Sequence, residues 1–349
     1  MTEWLAGNRI RGTSTERTTG TGFIPVIGGW KEVGRTTLGS DTSTITVSSL
    51  ADKRYYMVLT QGKTSQTNGD FALRYNGDSG ANYAVRQTWN GGSDNTYINQ
   101  THIRPLGTVI DLPFFNIDYI ANLSSKEKLI IGHGVDDTVA GSGTAPSREE
   151  HVAKWTNTSD ALSQVQALLV NGTPNYRSGS EVVVLGWDDS DTHTTNFWEE
   201  LASVSGAGSS TTLSSGTITA KKYLWVQVYA DTATSACGFQ FNNDTGANYA
   251  RRYNSNGGTD GTQESHTSAN ISGNSPNAFI NCFIINNSAN EKLLMCNTVY
   301  APASGAGDDP ERSDDYSKWA NTSSQITEID VIKGSNWGTN SIIKVWGSN

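Results

Sequence analysis

The chain has 349 residues, a formal charge of −9 and only 17 % charged side chains, with Gly, Ser, Thr and Asn crowding between short apolar runs. That acidity argues against nucleic acid as a partner, since phosphate binding draws on clustered Lys and Arg. No stretch approaches the roughly 20 apolar residues of a membrane-spanning helix, and the composition fits short strands joined by turns rather than helices with charged faces.

Residues 1–29 mix Arg9, Arg11 and Arg17 with Gly and Thr around one apolar knot, Phe23 to Ile27, and read as an extended N-terminal arm. The first residues lack the basic and apolar regions of a signal peptide, so the expectation is synthesis in the cytoplasm of a host cell. Residues 30–188 form a first module. Thr44–Val47, Tyr55–Leu59 and Glu181–Leu185 have the β-branched and aromatic make-up of strands. Asn76-Gly77, Asn90-Gly91-Gly92 and Asn171-Gly172 mark turns. The block from Ala145 to Trp155 places Pro146 and two acids where a helix would begin, and one short helix is expected there. Residues 189–197 are polar and unpatterned, a linker. Residues 198–349 form a second module, with strand patterns at Tyr223–Tyr229 and Ile342–Trp346, turns at Asn256-Gly257-Gly258 and Lys333-Gly334, and a second expected short helix near Asp309 to Arg312.

The two modules are copies. Arg74-Tyr75-Asn76-Gly77-Asp78-Ser79-Gly80-Ala81-Asn82-Tyr83-Ala84 returns as Gln240-Phe241-Asn242-Asn243-Asp244-Thr245-Gly246-Ala247-Asn248-Tyr249-Ala250, 166 residues later. Glu127-Lys128-Leu129 is answered by Glu291-Lys292-Leu293, and Lys154-Trp155 by Lys318-Trp319, in the same order. A period this long exceeds the roughly 20–50 residues of a solenoid repeat and fits a duplicated domain. The fold class expected is all-β: two tandem antiparallel sandwiches, jelly-roll-like, of about eight strands each.

The repeated Asn-x-Asp-x-Gly-x-Asn loops are oxygen-rich, but their twelfth residues are Gln87 and Tyr253 where a calcium loop needs a bidentate Glu, so they read as turns in which Asp and Asn bond their own backbone. Asn82, Tyr83 and Arg86, with Asn248, Tyr249 and Arg252, could form a glycan-binding face, rings stacking on sugars and amides bonding hydroxyls; the competing reading is tyrosine packing. Glu127-Lys128 and Glu291-Lys292 read as hairpin charge pairs, and Trp155 and Trp319 as anchors holding a loop to the sandwich. His133 aligns with Asn297 and His151 with Asp315, while His102 and His266 could correspond. No spacing singles out a catalytic set, a cofactor motif or a metal knuckle. Cys282 and Cys296 could face each other across a hairpin, but a cytoplasmic origin favours free thiols over a disulfide.

The strings Asn-x-Asp-[Ser/Thr]-Gly-Ala-Asn-Tyr-Ala, Asn-Gly-Gly-x-Asp, Glu-Lys-Leu and Lys-Trp-x-Asn-Thr-Ser, with the opening Trp4 to Arg9, resemble tandem-module virion structural proteins of marine tailed phages and related environmental viruses. The resemblance implies a non-enzymatic capsid or surface-decoration subunit, located in the virion, that assembles with its own copies and other virion proteins. It supplies no catalytic residue. The alternative is a tail fibre or adhesin that binds host surface glycans.

Overall fold

The computed structural model describes residues 29–65, 69–188, 191, 196–231, 237–271, 277–301 and 306–349. Residues 1–28 of the expected arm and most of the expected linker lie outside the described residues.

Alternating side chains send every second residue of each strand inward. The first module runs through β1 (Lys31–Thr37), β2 (Thr44–Ser48), β3 (Tyr55–Gly62), β4 (Gly69–Tyr75), β5 (Tyr83–Trp89) and β6 (Asn95–Gln100). It continues with β7 (Ile103–Val109), β8 (Phe114–Ala121), β9 (Lys128–Asp136), β10 (Ser147–Trp155), β11 (Gln164–Val170) and β12 (Glu181–Trp187). The second module comprises β13 (Glu199–Ser205), β14 (Thr212–Thr217), β15 (Tyr223–Asp231), β16 (Cys237–Phe241), β17 (Tyr249–Ser255) and β18 (Gly261–His266). Its remaining strands are β19 (Ala269–Ile271), β20 (Asn277–Ile285), β21 (Lys292–Ala301), β22 (Glu311–Trp319), β23 (Glu328–Lys333) and β24 (Ile342–Ser348).

In the first module an eight-stranded sheet ordered β1-β12-β3-β8-β9-β10-β5-β6 faces a four-stranded sheet ordered β2-β11-β4-β7. The second repeats both orders, β13-β24-β15-β20-β21-β22-β17-β18 over β14-β23-β16-β19. Every pairing among the described residues is antiparallel, and early strands pair with late ones in nested fashion, β1 with β12, β2 with β11, β3 with β8 and β4 with β7, while β5 pairs with β10 outside that nest. That nesting makes each module a jelly-roll-like sandwich. Among the described residues each has twelve strands rather than about eight. The two expected helices are strands, β10 and β22: Ser147–Trp155 alternates between faces, and pairing with β9 and β5 on its two sides outweighs the helix-start signal of Pro146 and the acids.

Each sandwich has its own core. Tyr56, Val58, Phe71, Leu73, Trp155 and Val182 fill the first, and Leu224, Val226, Phe239, Phe241, Trp319 and Val345 the second. A third apolar cluster joins the modules: Leu59, Phe115, Ile117, Val135 and Val183 from the outer face of the first eight-stranded sheet meet Trp198, Phe283, Leu293, Met295, Tyr316 and Trp346 of the second. Outer faces of antiparallel sandwiches commonly meet water. Here part of each face joins a shared interior.

One slot on the eight-stranded sheets is filled differently in the two copies. On β8, β9 and β10, Asp118, Gly132 and His151 stand side by side, and in the second module the same places hold Cys282, Cys296 and Asp315. His151 Nε2 and Asp118 Oδ1 are 2.7 Å apart, both side chains fully buried, and a Cβ at Gly132 would come within 2.2 Å of the His151 ring. Glycine there makes room for the pair. Cys282 and Cys296 instead form a disulfide, against the expectation of free thiols; the register that sets them opposite each other decided the matter, not the compartment inferred from the first residues.

Candidate functional site

Three of the repeated strings, the Asn-x-Asp loop, Glu-Lys-Leu and Lys-Trp, converge at one end of each sandwich, and Asn-Gly-Gly-x-Asp lies at the other end of β5 and β17. Asn76 and Asn242 turn the chain at φ +50° and +52°, and the following Gly77 and Asn243 are also left-handed, the backbone of a tight hairpin turn. The Asp78 carboxylate accepts from Gly80 N at 2.9 Å, Asn82 Nδ2 at 2.9 Å and Trp155 Nε1 at 2.8 Å. In the second copy Asp244 takes the same three donors, Gly246 N at 2.9 Å, Asn248 Nδ2 at 3.0 Å and Trp319 Nε1 at 2.7 Å. Burial works to raise each carboxyl, but the indole, amide and backbone donors outweigh it and hold both Asp78 and Asp244 below the usual carboxylate range. Carboxylates so filled with protein donors act as clamps.

The Glu-Lys-Leu motif reaches the same place from below. Lys128 Nζ sits 5.3 Å over the Trp155 ring and donates to Asn157 O at 2.9 Å; Lys292 Nζ sits 5.5 Å over Trp319 and donates to Asn321 O at 2.7 Å. Desolvation lowers both ammonium groups, Lys292 to about 8. The expected Glu-Lys charge pair is therefore split: Glu127 reaches Lys154 at 3.1 Å on the surface, while Lys128 points inward to the tryptophan. Trp155→Phe removes the indole donor to Asp78, and the expected loss is about 1–2 kcal/mol. Equilibrium urea unfolding measures it, and an unchanged midpoint would show that the clamp is slack.

The six expected glycan residues do not form a face. Tyr83 pairs with Trp155 across β5 and β10, so its side chain enters the core, and its hydroxyl accepts from Tyr75 N at 3.0 Å. Tyr249 does the same, accepting from Phe241 N at 3.0 Å. Both rings are buried and stack on tryptophan, leaving no ring for a sugar. The Asn82 and Asn248 amides are spent on the aspartates, Arg86 lies in an exposed pair with Asp94, and Arg252 donates to Pro146 O across the module boundary. His102 and His266 do not correspond: Tyr249 pairs with His266 where Tyr83 pairs with Gln100. His102 instead lines a depression of about 210 Å³ with Gln87, Tyr97, Gln100, Arg104 and Asn171, and Arg104 Cζ lies 5.7 Å over the Tyr97 ring.

The polar groups that do converge lie between the modules. Arg148 donates to both oxygens of Asp260, at 2.9 and 2.8 Å, and its guanidinium lies 5.3 Å from the Tyr316 ring centre. Lys318 Nζ is wholly buried, 2.7 Å from Asp137 of the first module and 3.5 Å from Glu291 of the second. Glu181 accepts from Tyr223 Oη at 2.7 Å and Lys222 at 3.1 Å. Burial raises Asp137, helped by the neighbouring Glu291 carboxyl and opposed by Lys318, to about 7; burial also raises Asp136 to about 7, against Arg252. Glu149, buried beside these and accepting from Gly107 N at 2.9 Å, is pushed up to about 8 by desolvation. Sequence reasoning missed this boundary because the partners that cross it lie 41 to 181 residues apart, and the repeated strings that hold Asp260, Glu291 and Lys318 do not show what those residues meet in the other module. The one sequence signal was apolar residues at the strand positions that alternation assigns to the solvent side.

No protein-family model and no curated protein matches the chain. Among solved structures, domains LG4–5 of the mouse laminin α1 chain align over 92 % of this chain and 89 % of that one, at 8 % identity and a TM-score of 0.20. The LG1–3 region of the laminin α2 chain aligns over 91 % of this chain and 63 % of that one, at 9 % identity and a TM-score of 0.20. The fold class, a tandem all-β sandwich protein, stands on the strand order itself.

Proposed function

We propose that the chain is a non-enzymatic structural subunit of a virion, a capsid or surface-decoration protein that assembles through its sandwich modules and N-terminal arm. The observation that carries this reading is the module boundary: two outer sheet faces that could have been wet are apolar, and they are joined by buried ion pairs. A sandwich that stacks on a copy of itself in this way is suited to building, because burial and shape decide the contact. The virion setting comes from the sequence resemblance. The alternative, host-glycan recognition, has lost the stacking rings on which it was placed.

Mass spectrometry of purified particles tests the reading. The expected result is this chain at a copy number comparable with other structural proteins, and incorporation that is lost on deleting residues 1–29 while the remaining modules keep their melting transition. Absence from the particles, or normal incorporation of the truncated chain, would contradict it.

A further inference from the structure

Residues on the outer face of the first eight-stranded sheet have counterparts at the same pairing positions in the second; in the middle of the face both members of a couple are buried, as Leu185 and Trp346 are, but toward the two ends the chain buries only one. Toward the Trp155 and Trp319 end, Leu293, Met295, Tyr316 and Tyr223 are 0, 4, 1 and 1 % exposed, whereas their counterparts Leu129, Ile131, Val152 and Tyr55 are 58, 56, 48 and 40 % exposed. Toward the other end the order inverts: Val135, Phe115 and Gln61 are 0, 1 and 3 % exposed, and Val299, Phe279 and Tyr229 are 44, 41 and 41 %. The contact between modules is therefore heterologous, the near end of the second covering the far end of the first. It leaves the near half-face of the first module and the far half-face of the second uncovered. Clustered exposed apolar side chains of this kind mark interaction surfaces.

We propose that these two half-faces bind each other between copies of the chain, head to tail, repeating the step that already joins the modules. This deepens the reading of the chain as an assembly subunit and rests on it. The charges agree with the step. The bidentate pair Arg148–Asp260 crosses the internal boundary, and its counterparts Arg312 and Asp94 are 63 and 52 % exposed on the surfaces that the repeated step would bring together. Gln227, Asn281 and Lys344 take the places of Leu59, Ile117 and Val183 on the far half-face of the second module, so the contact between chains is more polar than the one within, as suits reversible assembly. A heterologous contact closes into a ring or runs on as a filament, according to its rotation.

Analytical ultracentrifugation of the full chain and of Ile131→Asp and Val299→Asp, each altered at an exposed position on one half-face, tests the proposal. The wild-type chain is expected to give species larger than a monomer that grow with concentration, and each variant alone to remain monomeric. An equimolar mixture of the two variants is expected to give a dimer and nothing larger, because each supplies the half-face the other lacks; the dimer also shows that both are folded. Dimerisation of Val299→Asp alone would mean that the first module's half-face pairs with itself and would overturn the head-to-tail assignment. Self-association that persists in both variants would overturn the choice of faces while leaving an assembly role standing. A wild-type chain that stays monomeric at every concentration overturns the proposal, and particle composition then judges the virion reading separately.

Discussion

Lys318→Met is expected to cost about 3–5 kcal/mol of stability at pH 8, the range for removing one partner from a buried ion pair. The Lys318 ammonium is the cation between Asp137 and Glu291, with Val139 O as a further acceptor at 2.5 Å, and methionine would fill its volume while leaving two buried carboxyls face to face. Asp137, which burial already raises to about 7, escapes by taking up a proton, so the penalty should shrink toward pH 5. The duplication provides the control. Lys154 occupies the same place in the first module, but its pair with Glu127 is about half exposed, so Lys154→Met should cost less than about 1 kcal/mol at either pH. Urea unfolding of the two variants at both pH values measures the contrast; equal, pH-independent losses would mean that Lys318 is not the counter-ion of the boundary.

The second large effect belongs to the unaltered chain. Asp136 and Asp137 are raised to about 7 and Glu149 to about 8, so between pH 4 and 8 the folded chain holds protons that the unfolded chain releases. Stability must then fall as pH rises through that window, each of the three groups contributing on the order of 3 kcal/mol between pH 5 and 8 when it titrates independently. The depressed carboxyls Asp78, Asp244 and Glu181 act with the opposite sign, contributing stability above their unfolded values that is lost as acid protonates them. Above pH 8 the discharge of Lys292 relieves its own burial and works against further decline. The urea midpoint should therefore be higher at pH 5 than at pH 8. Glu149→Gln, which keeps an acceptor for Gly107 N, should flatten part of that slope. A midpoint that rises over the same interval would show these carboxyls ionised in the folded state.

The duplication and the strand-rich class were legible because strand alternation and turn chemistry are local: Asn76-Gly77 and Asn90-Gly91 declare left-handed turns by themselves, and both are left-handed in the fold. What the repeated residues do was less legible. Asp78 and Trp155 are 77 residues apart and meet only because β5 lies beside β10, so each string showed a motif without its partner. Tyr83 was open to the glycan reading because period two says that alternate residues share a face and not which face; pairing with Trp155 turned it inward. The block at Ala145 misled for a related reason. Proline and acids describe one chain end, while the strand that follows is fixed by neighbours on both sides. The module boundary could be read only after the fold, since an apolar residue on the outer side of a strand gives no hint of what covers it.

The slot shared by Asp118, Gly132 and His151 in one copy and by Cys282, Cys296 and Asp315 in the other has an evolutionary consequence. Carrying a domain in duplicate lets one copy try an imidazole and a carboxylate where its twin tries a sulfur bond, without risking the whole gene on either solution. Only one of the two answers depends on the redox state of the surroundings, so a reducing medium would act on the halves of this molecule unequally.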